Sequence, residues 1–126
     1  MNTHALNWFE IPVTDFDRAK KFYETLYDYQ MPESMMGPAR MGFFLYDFMN
    51  GGRGGAIVHN PDFYTPSANG ALIYLNAEPD LKTILDRVAA AGGKLLQEKT
   101  LITPELGYWA IFLDTEGSRV ALHSMK

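Results

Sequence analysis

Cysteine is missing from the 126-residue chain. Its absence excludes a disulfide framework, a thiolate metal site and a cysteine nucleophile. It also fits a reducing compartment, so the cytoplasm is the expected location. Positive charge is scarce: 11 Lys and Arg stand against 15 Asp and Glu, for a net charge of −4. An acidic surface opposes phosphate-backbone binding, so nucleic acid is not an expected partner. No apolar run approaches the roughly 20 residues of a membrane span. The start, MNTHALNWFEIPVTD, lacks the basic stretch and apolar core of a signal peptide. GGRGG (Gly51–Gly55) lacks the Lys-Ser/Thr pair of a phosphate loop and leads into a strand. There is no nucleophile elbow, zinc-protease motif or dinucleotide fingerprint. Histidine occurs three times, as His4, His59 and His123.

What the chain does have is apolar and aromatic surface: 47% hydrophobic residues, with eight Phe, seven Tyr and two Trp. At this length a single domain can bury about two-thirds of its unfolded surface without staples. ALNWFEIPV (Ala5–Val13) reads as a strand. Phe16, Ala19, Phe22, Tyr23 and Leu26 then recur at helical spacing, with Thr14 or Asp15 as the cap and an end near Tyr27–Tyr29. QMPESMMGPAR reads as an irregular edge strand or loop, MGFFLYDFM as a strand, NGGRGG as a turn and AIVH as a strand. After the Pro- and Asn-rich connection NPDFYTPSANG the order begins again. ALIYLNA is a strand, EPDLKTILDRVAAAGG one helix with Pro79 in its first turn, and KLLQEKTLI, YWAIFLD and RVALHS are strands. The expectation is an α+β fold of two βαβββ modules, at about 1–62 and 68–126 with a linker near 60–70, forming one domain of curved mixed sheets around a cavity.

Three segments carry a resemblance. DFDRAKKFY (Asp15–Tyr23), AAAGGKLL (Ala89–Leu96) and FLDTEGSRVAL (Phe112–Leu122) resemble, in order and at the right distances, signatures of the vicinal oxygen chelate superfamily. That superfamily includes glyoxalase I, bleomycin-resistance proteins, fosfomycin-modifying enzymes and extradiol dioxygenases. The chain resembles in particular proteins labelled as enzymes related to lactoylglutathione lyase. In the closing turn, often D-P-[DE]-G-N, Thr115 replaces Pro and Ser118 replaces Asn. The resemblance implies metal ligands at three further places, and there this chain has Trp8, about Ala71, and Ala121. A fourth ligand would come from GGAIVH, yet no Asp or Glu occurs between Asp47 and Asp62. Such side chains cannot bind a divalent metal, so no metal and no other cofactor is expected.

Strand alternation turns those positions into a map of cavity candidates. If Trp8 faces inward, so do Leu6 and Glu10; if Ala121 does, so do Arg119 and His123. Trp8 is either core packing or a stacking platform for a planar ligand. Glu10 either pairs with a Lys or Arg or joins a histidine in acid–base work. His123 is either a satisfied structural ring or a site residue, and His59 either hydrogen-bonds its own turn or shares the cavity. Phe44, Tyr46 and Trp109 could extend an aromatic wall, with Arg53 at its mouth. The expected protein is a metal-independent binder of a small, partly aromatic or apolar molecule, acting as a homodimer. The competing reading is a glyoxalase-like isomerase or lyase, or a dioxygenase-related enzyme.

Overall fold

The computed structural model describes residues 4–126. In the first module β1 (Trp8–Pro12) leads into helix α1 (Phe16–Tyr27), followed by β2 (Glu33–Met36), β3 (Ala39–Phe43) and β4 (Gly54–His59). The second repeats the order with β5 (Ile73–Asn76), two short helices α2 (Leu81–Leu85) and α3 (Val88–Ala91), then β6 (Lys94–Thr103), β7 (Gly107–Leu113) and β8 (Arg119–Ser124). The sheets run β1-β4-β3-β2 and β5-β8-β7-β6, each with its first strand parallel to its last and the remaining pairs antiparallel. The α+β class and the doubled βαβββ order are therefore as expected. The eight strands do not close into a barrel, because β1 and β5 each pair on one side only.

Helix α1 follows directly from its apolar spacing: Phe16, Ala19, Phe22, Tyr23 and Leu26 are all buried. Asp15 caps it by accepting the Arg18 N–H at 3.1 Å. Asp28, in the left-handed region at φ 55°, closes it. This face packs in one core with Ile11, Ile57, Leu75, Leu81, Ala110, Phe112 and Leu122, so both modules share a single interior.

Three local expectations change. The second helical segment is two pieces, because Arg87 N–H bonds Ile84 O in a tighter i→i−3 turn while the Arg87 guanidinium reaches the Leu26 carbonyl at 2.8 Å. Pro79 precedes the Asp80 cap instead of lying in the first turn. The strand MGFFLYDFM stops at Phe43, since Tyr46 folds its ring onto Gly54 and Asp47 caps a 3-10 turn at Phe48–Asn50.

The modules are locked by the turn between β7 and β8. The Glu116 side chain, with 0% of its surface exposed, accepts the backbone N–H groups of Thr14 (3.0 Å) and Asp15 (2.6 Å), and the Arg18 guanidinium at 2.7 and 3.0 Å. Burial alone would raise its pKa, but the Arg18, Asp15 and Thr115 hydrogen bonds outweigh that and hold it at about 2. Beside it Asp114 accepts the buried Tyr23 hydroxyl at 2.8 Å and the N–H groups of Glu116 and Ser118. Burial pushes the Asp114 carboxyl up despite these bonds.

Because the folded Glu116 pKa lies below the ordinary 4.5, its stabilisation is complete above that pH and fades as pH falls toward 2. Glu116→Gln should cost about 2 kcal/mol, roughly 6–10 °C in Tm at neutral pH. The gap to the parent should close as thermal melts are repeated at decreasing pH below 4.5. An unchanged gap at pH 2.5 would contradict the clamp.

Candidate functional site

Alternation and register define two open sheet faces, turned away from the helices. On the first sheet Trp8 lies beside Gly54, Glu10 beside Ala56 and Pro12 beside Val58. Met41 and Phe43 of β3 join them through the antiparallel register. On the second sheet Tyr74, Ala121 and Ile111 lie in one row, and Asn76, His123 and Trp109 in the next. The modules superpose in register: Val13 N–H bonds Val58 O as Ala77 N–H bonds His123 O. Counting back from these bonds, Trp8 corresponds to Leu72, one residue beyond the expected Ala71, and Ala121 corresponds to Ala56. Those positions offer an indole N–H, an isobutyl group and two methyls, and none has a lone pair for a cation. Among the described residues no three His, Cys, Asp or Glu side chains converge. The residues present do not fit the metal that the resemblance implies.

A cleft of about 800 Å³ is lined by residues at the sheet-edge strands β1 and β5. Phe9, Tyr27, Tyr29, Phe44, Tyr46 and Tyr74 give it aromatic walls, and only Asp47 and Arg53 among its lining residues are charged. Tyr27 and Tyr29 stack at 5.5 Å, and Phe44 lies against Phe9, Tyr23 and Tyr27. Two glycines make room. The Tyr46 ring sits where a Gly54 Cβ would be, and the Phe9 ring and carbonyl fill the same space at Gly55. The Tyr29 hydroxyl accepts the Leu45 N–H at 3.1 Å, which leaves its own proton to donate. Burial pushes the phenols of Tyr27 and Tyr29 up, so both stay protonated donors at neutral pH.

Phe44, Tyr46 and Arg53 thus come together in the cleft. Arg53 bends back onto the carbonyls of Gly51 and Gly52 at 3.1 and 3.3 Å and braces its own turn. Trp8 and Glu10 occupy a separate hollow, where Trp8 Nε1–H donates to Glu10 at 3.3 Å. No basic side chain pairs with Glu10 among the described residues, so the expected Lys or Arg partner is replaced by Trp8 and Tyr64. Leu6 lines the cleft, while Arg119 borders a small hollow of about 200 Å³ that Glu10 and Ala71 also line. His123 donates through Nε2 to the Leu106 carbonyl at 2.6 Å and neighbours Trp109; both lie on the second open face, away from these hollows. His59 follows Val58 on β4, and alternation turns it to the face opposite Val58 and Trp8, beside Arg40. It does not share the space of the other candidates. Sequence reasoning missed Phe9, Tyr27, Tyr29 and Tyr74, whose periodic positions read as core or surface, and Tyr64, which lies in the connection.

The family model of the Glyoxalase/Bleomycin resistance protein/Dioxygenase superfamily matches residues 5–122. A glyoxylase-like domain-containing protein of Didymella fabae is 32% identical over 119 residues, covering 90% of this chain and 88% of that protein. Among solved structures, a glyoxalase/bleomycin resistance protein from Albidiferax ferrireducens T118 superposes with a TM-score of 0.71 at 17% identity, covering 94% of this chain and 97% of that one. The trypanothione-dependent glyoxalase I of Leishmania major gives a TM-score of 0.69 at 16% identity, over 98% and 88%.

Gly54→Ala should drive the Tyr46 ring off β4, since its Cβ would overlap ring carbons. The expected cost is about 1–3 kcal/mol of overpacking, visible as a lower Tm and a changed near-UV signal. A variant with parental melting and parental near-UV spectrum would contradict this placement of Tyr46.

Proposed function

The chain belongs to the Glyoxalase/Bleomycin resistance protein/Dioxygenase superfamily, whose fold is suited to small-molecule binding or catalysis, and we propose that it binds a small, partly aromatic or apolar molecule without a metal. The observation that carries this reading is the aromatic cleft between the edges of β1 and β5. Its volume, about 800 Å³, falls in the range of drug-sized ligand sites, which combine apolar walls with a few orienting polar groups. Stacked Tyr27 and Tyr29, with Tyr46 and Tyr74, offer ring faces for a planar guest. The free Tyr29 proton and the unpaired edge of β5 supply hydrogen bonds that fix its orientation. The donor-poor positions at Trp8, Leu72 and Ala121 favour binding over the metal-centred chemistry of a glyoxalase-like isomerase. A homodimer in the cytoplasm is the expected working form, and size-exclusion chromatography with light scattering would read its mass.

Protein treated with a chelator should be stabilised by naphthyl-sized planar compounds. Ligand at 100 times Kd would contribute about 2.7 kcal/mol, several degrees in a thermal-shift assay. Tyr46→Ala should reduce that gain by at least half. The reading fails if no planar compound raises Tm while a divalent metal does and the metal-loaded protein converts a glutathione hemithioacetal.

A further inference from the structure

The hollow on the open face of the first sheet differs in chemistry from the cleft and shares no lining residue with it. It measures about 520 Å³. Its floor is Ala39, Met41 and Val58, against which the rings of Trp8, Phe43 and Tyr64 pack while remaining half-buried. Glu10 is the only charged residue in its lining. One carboxylate oxygen accepts the Tyr64 hydroxyl at 2.9 Å, and the other accepts Trp8 Nε1–H at 3.3 Å. Tyr64 is brought there by a tight turn in which the N–H groups of Phe63 and Tyr64 both bond the Asn60 carbonyl, at 3.0 and 2.8 Å. Both partners of the carboxylate are uncharged, and no Lys or Arg forms an ion pair with it among the described residues. A negative charge therefore stands in an apolar, aromatic hollow without an ion-pair partner among the described residues, and Arg119 lies across the adjoining small hollow that Glu10 also lines.

We propose that this hollow binds an organic quaternary ammonium group. A carboxylate with three aromatic rings around it attracts a cation through both the ionic charge and the negative ring faces. A methylated ammonium suits the site better than a primary one. It donates no classical hydrogen bond, so it is content with walls of methyl, thioether and ring carbon, whereas an –NH₃⁺ group brings three donors. The Glu10 oxygens already each hold one neutral donor, which fixes the carboxylate's position without cancelling its charge. The chain's net charge of −4 adds a long-range bias toward cations and against anions. The two sites have different lining residues but touch where the Tyr46 ring of the cleft packs edge-on against Trp8 of the hollow, at 6.2 Å between centroids.

Trp109→Phe leaves Trp8 as the sole tryptophan and makes its fluorescence the reporter. Choline should give a saturable change in that signal, and 3,3-dimethylbutan-1-ol, its uncharged isostere, should bind at least about tenfold more weakly. Glu10→Gln in the same background should remove that preference, with choline binding falling about tenfold and the alcohol unaffected. Retained stabilisation of Glu10→Gln by the planar compounds shows that the variant is folded and that the cleft is separate. Equal binding of choline and the alcohol, choline binding indifferent to Glu10→Gln, or no saturable choline signal would each overturn the assignment.

Discussion

Glu116 satisfies the start of α1 from the opposite module, and the arrangement of the rest depends on that contact. The first turn of any helix presents N–H groups without internal partners. Asp15 answers one of them locally, while Glu116 takes the Thr14 and Asp15 N–H groups just ahead of the helix and the Arg18 guanidinium within it. The adjoining Asp114–Tyr23 bond anchors the same helix one and a half turns further on, inside the core. Together these contacts fix how the closing turn of the second module meets α1 of the first. The aromatic cleft lies elsewhere on the same inter-module arrangement, lined by residues of β1 and β5.

The same geometry gives a physical meaning to the closing-turn signature. In FLDTEGSRVAL, Asp114 organises the turn by accepting the N–H groups of Glu116 and Ser118, Gly117 takes the left-handed conformation at φ 92°, and Glu116 reaches across to the other module. The stretch that suggests the family therefore acts in assembly of the fold. Its neighbour on the sheet face, Ala121, is a fully buried methyl. Scaffold and chemistry are separated within eight residues, which is why a chain can keep the fold while its sheet faces carry rings and methyls.

Much of the architecture was legible in the sequence because period and punctuation agree in it. The five buried residues of α1 recur at helical spacing, and the turns at Thr103–Gly107 and Asp114–Ser118 are flanked by alternating strands. The site was legible only in part. Trp8 and Glu10 could be placed on one face by alternation, yet Tyr64, which completes their hollow, comes from the aperiodic connection and is positioned by the Asn60 carbonyl. Leu45–Asp47 read as a continued strand, but the ring of Tyr46 settles on Gly54, a tertiary fit that no local pattern encodes. Parity likewise separates His59 from the other candidates, and the offset from Ala71 to Leu72 emerges only from the matched hydrogen bonds of the two modules.

The proposed planar guest sits between the edges of β1 and β5, whereas the metal-ligand positions that the resemblance implies lie on the open faces of both sheets. Chemical-shift mapping of the aromatic and methyl groups during titration with a naphthyl compound tests this placement most directly. The account predicts the largest shifts at Tyr29, Phe44, Tyr46 and Tyr74, with Ala121, Trp109 and His123 little changed. Shifts concentrated at Ala121, Ile111, Trp109 and His123, with the cleft tyrosines silent, would contradict it.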